Sequence, residues 1–188
     1  MPFCAVWKTG DKSKAVIAFR GTISLYDLKV DFKYEEIVVD NYNVSKGVYN
    51  LFQKLFPQIN NLLDGVSSAF ISGHSLGAGL AFLTALNLPP NITKSVIGFA
   101  PPRIGDESFV TTLQRNAKTL SIINLADMVP SLAWSYMPNF SNANDIFQFT
   151  TVTPVGIFND QSTDIMSCHE FPNYYNAILT DKLVFPAL

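Results

Sequence analysis

Gly73-His74-Ser75-Leu76-Gly77 has the G-x-S-x-G spacing of a nucleophile elbow, a sharp strand-to-helix turn with a serine at its tip. The flanks suit it: apolar Ala69-Phe70-Ile71 precedes as a strand, and Leu80, Ala81, Leu83 and Thr84 follow at helical spacing. Glycine is needed on either side because a Cβ there would collide with the neighbouring strand and helix. The turn would lift the Ser75 hydroxyl out of the sheet, at a helix N-terminus whose dipole favours developing negative charge. The bland alternative is a glycine-rich turn without chemistry.

A serine nucleophile needs a base, and the sequence has only two histidines. His74 lies inside the elbow, where its side chain is expected to point away from the serine. His169 remains by elimination. In elbow hydrolases the orienting acid falls between serine and histidine in chain order. Asp106, Glu107, Asp127, Asp145, Asp160 and Asp164 qualify. Asp127 follows directly on the apolar run 120–125 and precedes Val129-Pro130, so it should stand at the carboxyl end of a sheet strand. Asp106, after the loop 99–105, is the reserve. A solvated loop acid is the ordinary reading of the others. Such a triad requires no metal or organic cofactor.

These side chains must be held by a scaffold, and the apolar runs describe one. Residues 3–7 and 15–19 flank a polar turn and read as a hairpin. Val48, Leu51, Phe52, Leu55, Phe56, Ile59, Leu62 and Leu63 recur at helical spacing, with Pro57 expected to kink the helix. Strand 69–72, helix 76–88, strand 95–99, helix 107–115 and strand 120–125 follow; 146–152 reads as a strand and 169–179 as a last helix. Alternating strands and helices predict an α/β fold: a mostly parallel central sheet with helices on both faces, the site at the carboxyl ends of the strands.

Composition narrows the function classes. Charged residues are 15% of the chain and 15 residues are Phe, which excludes a disordered chain. A length of 188 suggests one domain over residues 1–188. The formal net charge is −2 with no basic cluster, which argues against nucleic acid as a partner. Two cysteines, Cys4 and Cys168, suit neither a disulfide scaffold nor a metal site; one bridge or two free thiols are open. Residues 65–93 lack Asp, Glu, Lys and Arg, yet the glycines and Pro89-Pro90 favour a buried strand, turn and helix over a transmembrane segment. No signal-peptide pattern opens the chain, as in a cytosolic protein or a secreted one whose leader is missing. From residue 119 to 181 there is no Lys or Arg, while Asp127, Asp145, Asp160, Asp164, Glu170 and Asp181 are all present.

Several motifs in order carry a family resemblance over about residues 3–179. Phe19-Arg20-Gly21-Thr22 with Asp27 and Asp31, the helix start 44–49 with Val48 replacing an aromatic, and the elbow come first. The loop 99–106 follows, with Asp106 in place of Asn, then Asn124–Leu132 of the form N-x-x-D-x-V-P-x-L. His169 with Tyr174 and Tyr175 downstream closes the set. The chain thus resembles the class 3 (fungal-type) lipases of the α/β-hydrolase fold. The resemblance implies a Ser75-Asp127-His169 triad that cleaves carboxylic esters of lipids, triacylglycerol included, through an acyl-enzyme. It assigns the oxyanion hole to Thr22 and to the Leu76 N–H, and Arg20 to bracing that loop.

It also implies a lid-like segment at 23–30, whose Ile23, Leu25 and Tyr26 would face substrate; Ala133-Trp134, which departs from the family's usual Pro, would place Trp134 near the acid as a further substrate contact. Against a lid, residues 28–35 alternate apolar and charged as a strand does. The extra N-terminal helix of typical members is missing, so one sheet face should be barer. The expected partner is a lipid or other ester, met at a transient lipid interface. Two alternatives stand beside it: an esterase of soluble short-chain or aromatic esters, and a non-catalytic lipase-like binding or signalling protein.

Overall fold

The structure is a computed structural model and describes residues 3–21, 35–131, 137–139, 142–147, 149–161 and 167–186. Its centre is a six-stranded sheet. In chain order the strands are β1 (Cys4–Lys8), β2 (Lys14–Phe19), β5 (Ser68–His74), β6 (Thr93–Phe99), β7 (Lys118–Asn124) and β10 (Val155–Phe158), and they lie side by side in that same order. Only β1 runs antiparallel, as the partner of β2 in the predicted hairpin; every other pair is parallel. Among the described residues four α-helices accompany them: α1 (Lys46–Asn61), α2 (Leu76–Asn87), α3 (Glu107–Asn116) and α4 (Phe171–Leu179). The expected α/β architecture is therefore present. Pro57 lies inside α1, which continues through it.

Strand pairing sorts the side chains onto two faces. Ala15, Ile17, Ala69, Ile71 and Val96 share one face and bury against Val48 and Phe52 of α1, Leu80 and Leu83 of α2, and Phe109 and Leu113 of α3. Helix α2 is buried along almost its whole length, so its sequence is apolar all round rather than amphipathic. Strand β5, the turn at Ser75 and this 12-residue helix together fill most of the charge-free stretch 65–93, and among the described residues no helix is long and apolar enough to cross a membrane.

On the opposite face α4 packs Tyr174 and Ala177 onto Ile122 and Phe158, with Ile97, Phe99 and Leu120 at the margin. Helix α4 covers only this half of the face. Over the other half Trp7, Val16 and Phe70, in register across β1, β2 and β5, are 58%, 44% and 41% exposed. The barer face is there.

Two elements depart from expectation. The strand expected at 146–152 is not in the central sheet: Asn142–Phe147 (β9) pairs with Met137–Asn139 (β8) in a separate ribbon, and the sixth sheet strand is β10. Buried Phe149 and Val152 supply core contacts from irregular chain, which explains their apolar character. A second hairpin, β3 (Glu36–Val39) with β4 (Tyr42–Ser45), precedes α1. Its turn residue Asp40 has φ 51°, a left-handed conformation that Asp tolerates better than most residues. Neither cysteine forms a disulfide among the described residues; Cys168 is buried, and burial pushes the Cys4 thiol up to about 11.

Candidate active site

Strand β5 ends at His74 and α2 begins at Leu76, so Ser75 alone turns the chain. It does so at φ 58°, ψ −128°, a conformation costly for any residue with a Cβ. Its N–H donates to Phe99 O at 2.9 Å and its C=O accepts from Ala78 N at 2.9 Å, which hold the turn. The glycines are needed for close approach. A Cβ on Gly73 would lie 2.1 Å from Gly77 O, and one on Gly77 would lie 2.7 Å from both Phe19 O and Arg20 O. The first turn of α2 is therefore pressed against the carboxyl end of β2. Ser75 is 1% exposed, and its Oγ has no hydrogen-bond partner among the described residues. An unpaired buried hydroxyl is costly, which suits an atom kept for a reacting group.

Asp127 stands in the turn after β7, its N–H bonded to Asn124 O at 3.0 Å. Its carboxylate is wholly buried and accepts three hydrogen bonds: Val129 N at 2.8 Å on Oδ1, and His169 Nδ1 at 2.7 Å and Tyr174 Oη at 2.5 Å on Oδ2. With Nδ1–H committed to the carboxylate, Nε2 is the free basic nitrogen of His169. His169 sits in a short 3-10 turn, Ser167–His169, just ahead of α4.

One side chain joins the turns that carry acid and base. Asn124 Oδ1 accepts from Ala126 N at 3.2 Å and Asp160 N at 3.0 Å, while Nδ2 donates to Asp160 O at 3.0 Å and Cys168 O at 3.2 Å. Asp160, a candidate acid, thus contributes its main chain to this clamp.

The reserve acid has other work. Asp106 caps α3, accepting Phe109 N at 2.8 Å, and also accepts Asn43 N at 3.0 Å and Asn43 Nδ2 at 2.9 Å, fastening α3 to β4. Glu107 follows in the first turn of α3, where an acid suits the helix dipole. Asp164 and the side chain of Asp145 lie outside the described residues.

His74 is nearer the base than expected. Its ring centroid is 4.6 Å from that of His169, 5.7 Å from Tyr174 and 5.8 Å from Phe171. Burial, then the neighbouring His169, pushes it down to about 4, so it stays neutral under ordinary conditions. The sequence singled out neither this packing nor the clamp role of Asn124, and offered Tyr174 only as part of a motif.

Leu76, 1% exposed, is the first residue of α2, and its N–H is one of the amides a helix start leaves without an intrahelical partner. Thr22, Ile23, Leu25, Tyr26 and Trp134 lie outside the described residues. Gly21, however, borders the elbow: a Cβ on it would lie 2.8 Å from His74 O and 3.3 Å from Ser75 Cβ. The Arg20 guanidinium stands 5.0 Å over the Phe3 ring, and the Arg20 backbone N–H donates to Phe3 O at 2.9 Å.

Residues 16–137 match the family model described as Lipase (class 3). The chain is 30% identical over 109 residues to Phospholipase A(1) DAD1, chloroplastic, of Arabidopsis thaliana, covering 53% of this chain and 24% of that protein. It superposes on a triacylglycerol lipase whose catalytic centre is reported as a serine protease triad: TM-score 0.69, 20% identity, 84% of this chain and 62% of that one. For the mono- and diacylglycerol lipase from Aspergillus oryzae the TM-score is 0.67 at 19% identity, over 85% of this chain and 59% of that one. The chain spans about a quarter of the plant relative's length and about three fifths of each solved chain.

Proposed function

The chain belongs to the class 3 lipase family, with the α/β-hydrolase fold, and on that premise we propose that it hydrolyses carboxylic esters of lipids through an acyl-enzyme on Ser75. The observation that carries this reading is the Asp127–His169 hydrogen bond of 2.7 Å, with the His169 ring 4.6 Å from that of His74, the residue before the strained elbow serine. His169 Nε2 takes the Ser75 proton as Oγ attacks the ester carbonyl. Asp127 holds the ring in the tautomer that leaves Nε2 basic and offsets the imidazolium charge. The carbonyl oxygen gains negative charge and is received by the Leu76 N–H and by Thr22, the residue after Gly21 in the chain. His169 then protonates the departing alcohol, and water repeats the sequence on the acyl-enzyme to release the acid.

Substrate class follows from charge and kinship. The plant relative is named a phospholipase A1 and the structural neighbours are acylglycerol lipases, all of which act on carboxylic esters of lipids. No Lys or Arg occurs from residue 119 to 181, the stretch holding both acid and base. Neutral acylglycerols such as triacylglycerol suit that stretch better than anionic lipids, and a carboxylate product would be expelled from it.

A fluorophosphonate probe tests the mechanism. Labelling of the folded protein, lost in Ser75→Ala, supports it; unchanged labelling of the variant removes Ser75 as the nucleophile. Activity on triacylglycerol emulsion above that on soluble p-nitrophenyl esters supports the lipid substrate. The reverse preference makes the protein an esterase of soluble esters. A folded wild-type protein that the probe never labels is the non-catalytic alternative.

A further inference from the structure

We infer that Tyr174 is a positioning residue for this hydrolysis, acting on His169 through the one carboxylate oxygen they share. The inference rests on the triad reading above and adds to it. Two donors converge on Asp127 Oδ2: His169 Nδ1 at 2.7 Å and the Tyr174 hydroxyl at 2.5 Å. The hydroxyl in turn accepts the Asn124 N–H at 3.3 Å, so its proton is aimed at the carboxylate rather than free to rotate.

Tyr174 is fully buried and its ring is boxed by Phe158 at 5.1 Å, His74 at 5.7 Å and Phe99 at 6.5 Å. Burial, then the Asp127 charge, pushes its hydroxyl far up, so it remains a donor wherever the enzyme would work. Helix α4 carries Tyr174 five residues beyond His169, so the donor and the base move as one piece of chain.

The consequence concerns the strength of the base. A carboxylate oxygen that already accepts a hydroxyl proton has less negative charge to offer an imidazolium. Tyr174 therefore holds the carboxylate plane in place and at the same time moderates how strongly Asp127 stabilises protonated His169. Among the described residues, the ionisable groups around that ring are Asp127 after β7, His74 at the end of β5, Tyr174 on α4, and Cys168 and Glu170 beside it in the chain. His74, pushed down to about 4, stays neutral across the working range, and Glu170 is exposed. The shared oxygen is then the lever on the base.

The test uses the full chain and a soluble p-nitrophenyl ester. In Tyr174→Phe the acidic limb of the kcat/KM profile should move up by about one pH unit. Its plateau kcat should fall about tenfold with KM unchanged, since the residue has no surface to offer a substrate. Tyr175→Phe, on the exposed side of the same helix, should change neither. If Tyr174→Phe does not fold, 3-fluorotyrosine installed at position 174 keeps the shape with a more acidic, stronger-donating hydroxyl. That should move the limb down.

An imidazole NMR titration reads the same shift without turnover, and with only two histidines in the chain the resonances are separable. A limb that stays put in both variants, or moves against these directions, overturns the inference even if thermal stability falls. Failure of the fluorophosphonate probe to label wild-type Ser75 is a different result: it removes the triad reading, and the role of Tyr174 with it.

Discussion

Asp127 Oδ2 stands 2.7 Å from His169 Nδ1, although 42 residues separate the two in the chain. Asp127→Asn places an amide where the imidazole needs an acceptor and favours the wrong tautomer. Turnover should fall by about 10⁴ with the fold retained, read as kcat on a soluble ester beside a circular dichroism spectrum. Full activity in this variant would give the orienting role to another group.

Asp106 serves as the contrast. It caps α3 and fastens Asn43, so Asp106→Ala should lower stability by about 1–2 kcal/mol. Asp106→Asn should leave kcat near wild type. Urea denaturation gives the first quantity and the ester assay the second; a crippled Asp106→Asn with intact stability would reverse the assignment of the acid.

Ser75 holds a backbone conformation that glycine adopts without penalty. Ser75→Gly should therefore be more stable than Ser75→Ala by about 1–2 kcal/mol, while both are inactive. Equal denaturation midpoints for the two variants would mean that the elbow stores no strain.

Glu36 links stability to pH. Burial, then the charge of Asp106, raises its pKa to about 7 from 4.5, and its Oε2 is buried without a hydrogen-bond partner among the described residues. The folded chain keeps this proton between the two values while the unfolded chain releases it. The stabilising contribution is thus full below about 4.5 and is lost as pH rises through about 7. Glu36→Gln, which mimics the protonated acid, should melt at a higher temperature than wild type at pH 8 and differ little at pH 4.5. Parallel melting curves across that range would remove Glu36 from the titration.

His74 works in the opposite sense. Its pKa is lowered to about 4 from 6.5, so the unfolded chain takes up a proton first and stability falls as pH drops from 6.5 towards 4. His74→Phe keeps a ring against His169 and removes the titration. Its melting temperature should fall less than that of wild type between pH 7 and pH 4.5; an identical fall would place the acid sensitivity elsewhere.

What could be read from the chain was local chemistry. Ser75 is announced by glycines whose absent Cβ atoms decide the turn, and His169 by the scarcity of histidine. Asp127 is announced by its place at the end of an apolar run. Tyr174 and Asn124 act through partners 36 to 50 residues away, which no spacing rule connects. The sixth sheet strand, residues 155–158, is not legible because Ile146, Phe147, Phe149 and Val152 make the stretch before it the more apolar one, while Phe149 and Val152 pack as irregular chain. The β3–β4 hairpin has a readable signal: Asp40-Asn41, after Ile37-Val38-Val39 and before Tyr42 and Val44, is a two-residue turn.

The clamp around Asn124 has a consequence for how such a protein could diversify. The turn of Asp127 and the turn of His169 are bonded to each other directly, through residues 124, 126, 160 and 168. Residues 132–148, rich in aromatic residues, lie between Asp127 and Asp160 in the sequence, and the four residues of the clamp all come from outside that stretch. Changes of length or sequence confined to that stretch remove none of the clamp's residues, so the proposed acid and base can stay joined while the chain between them diverges.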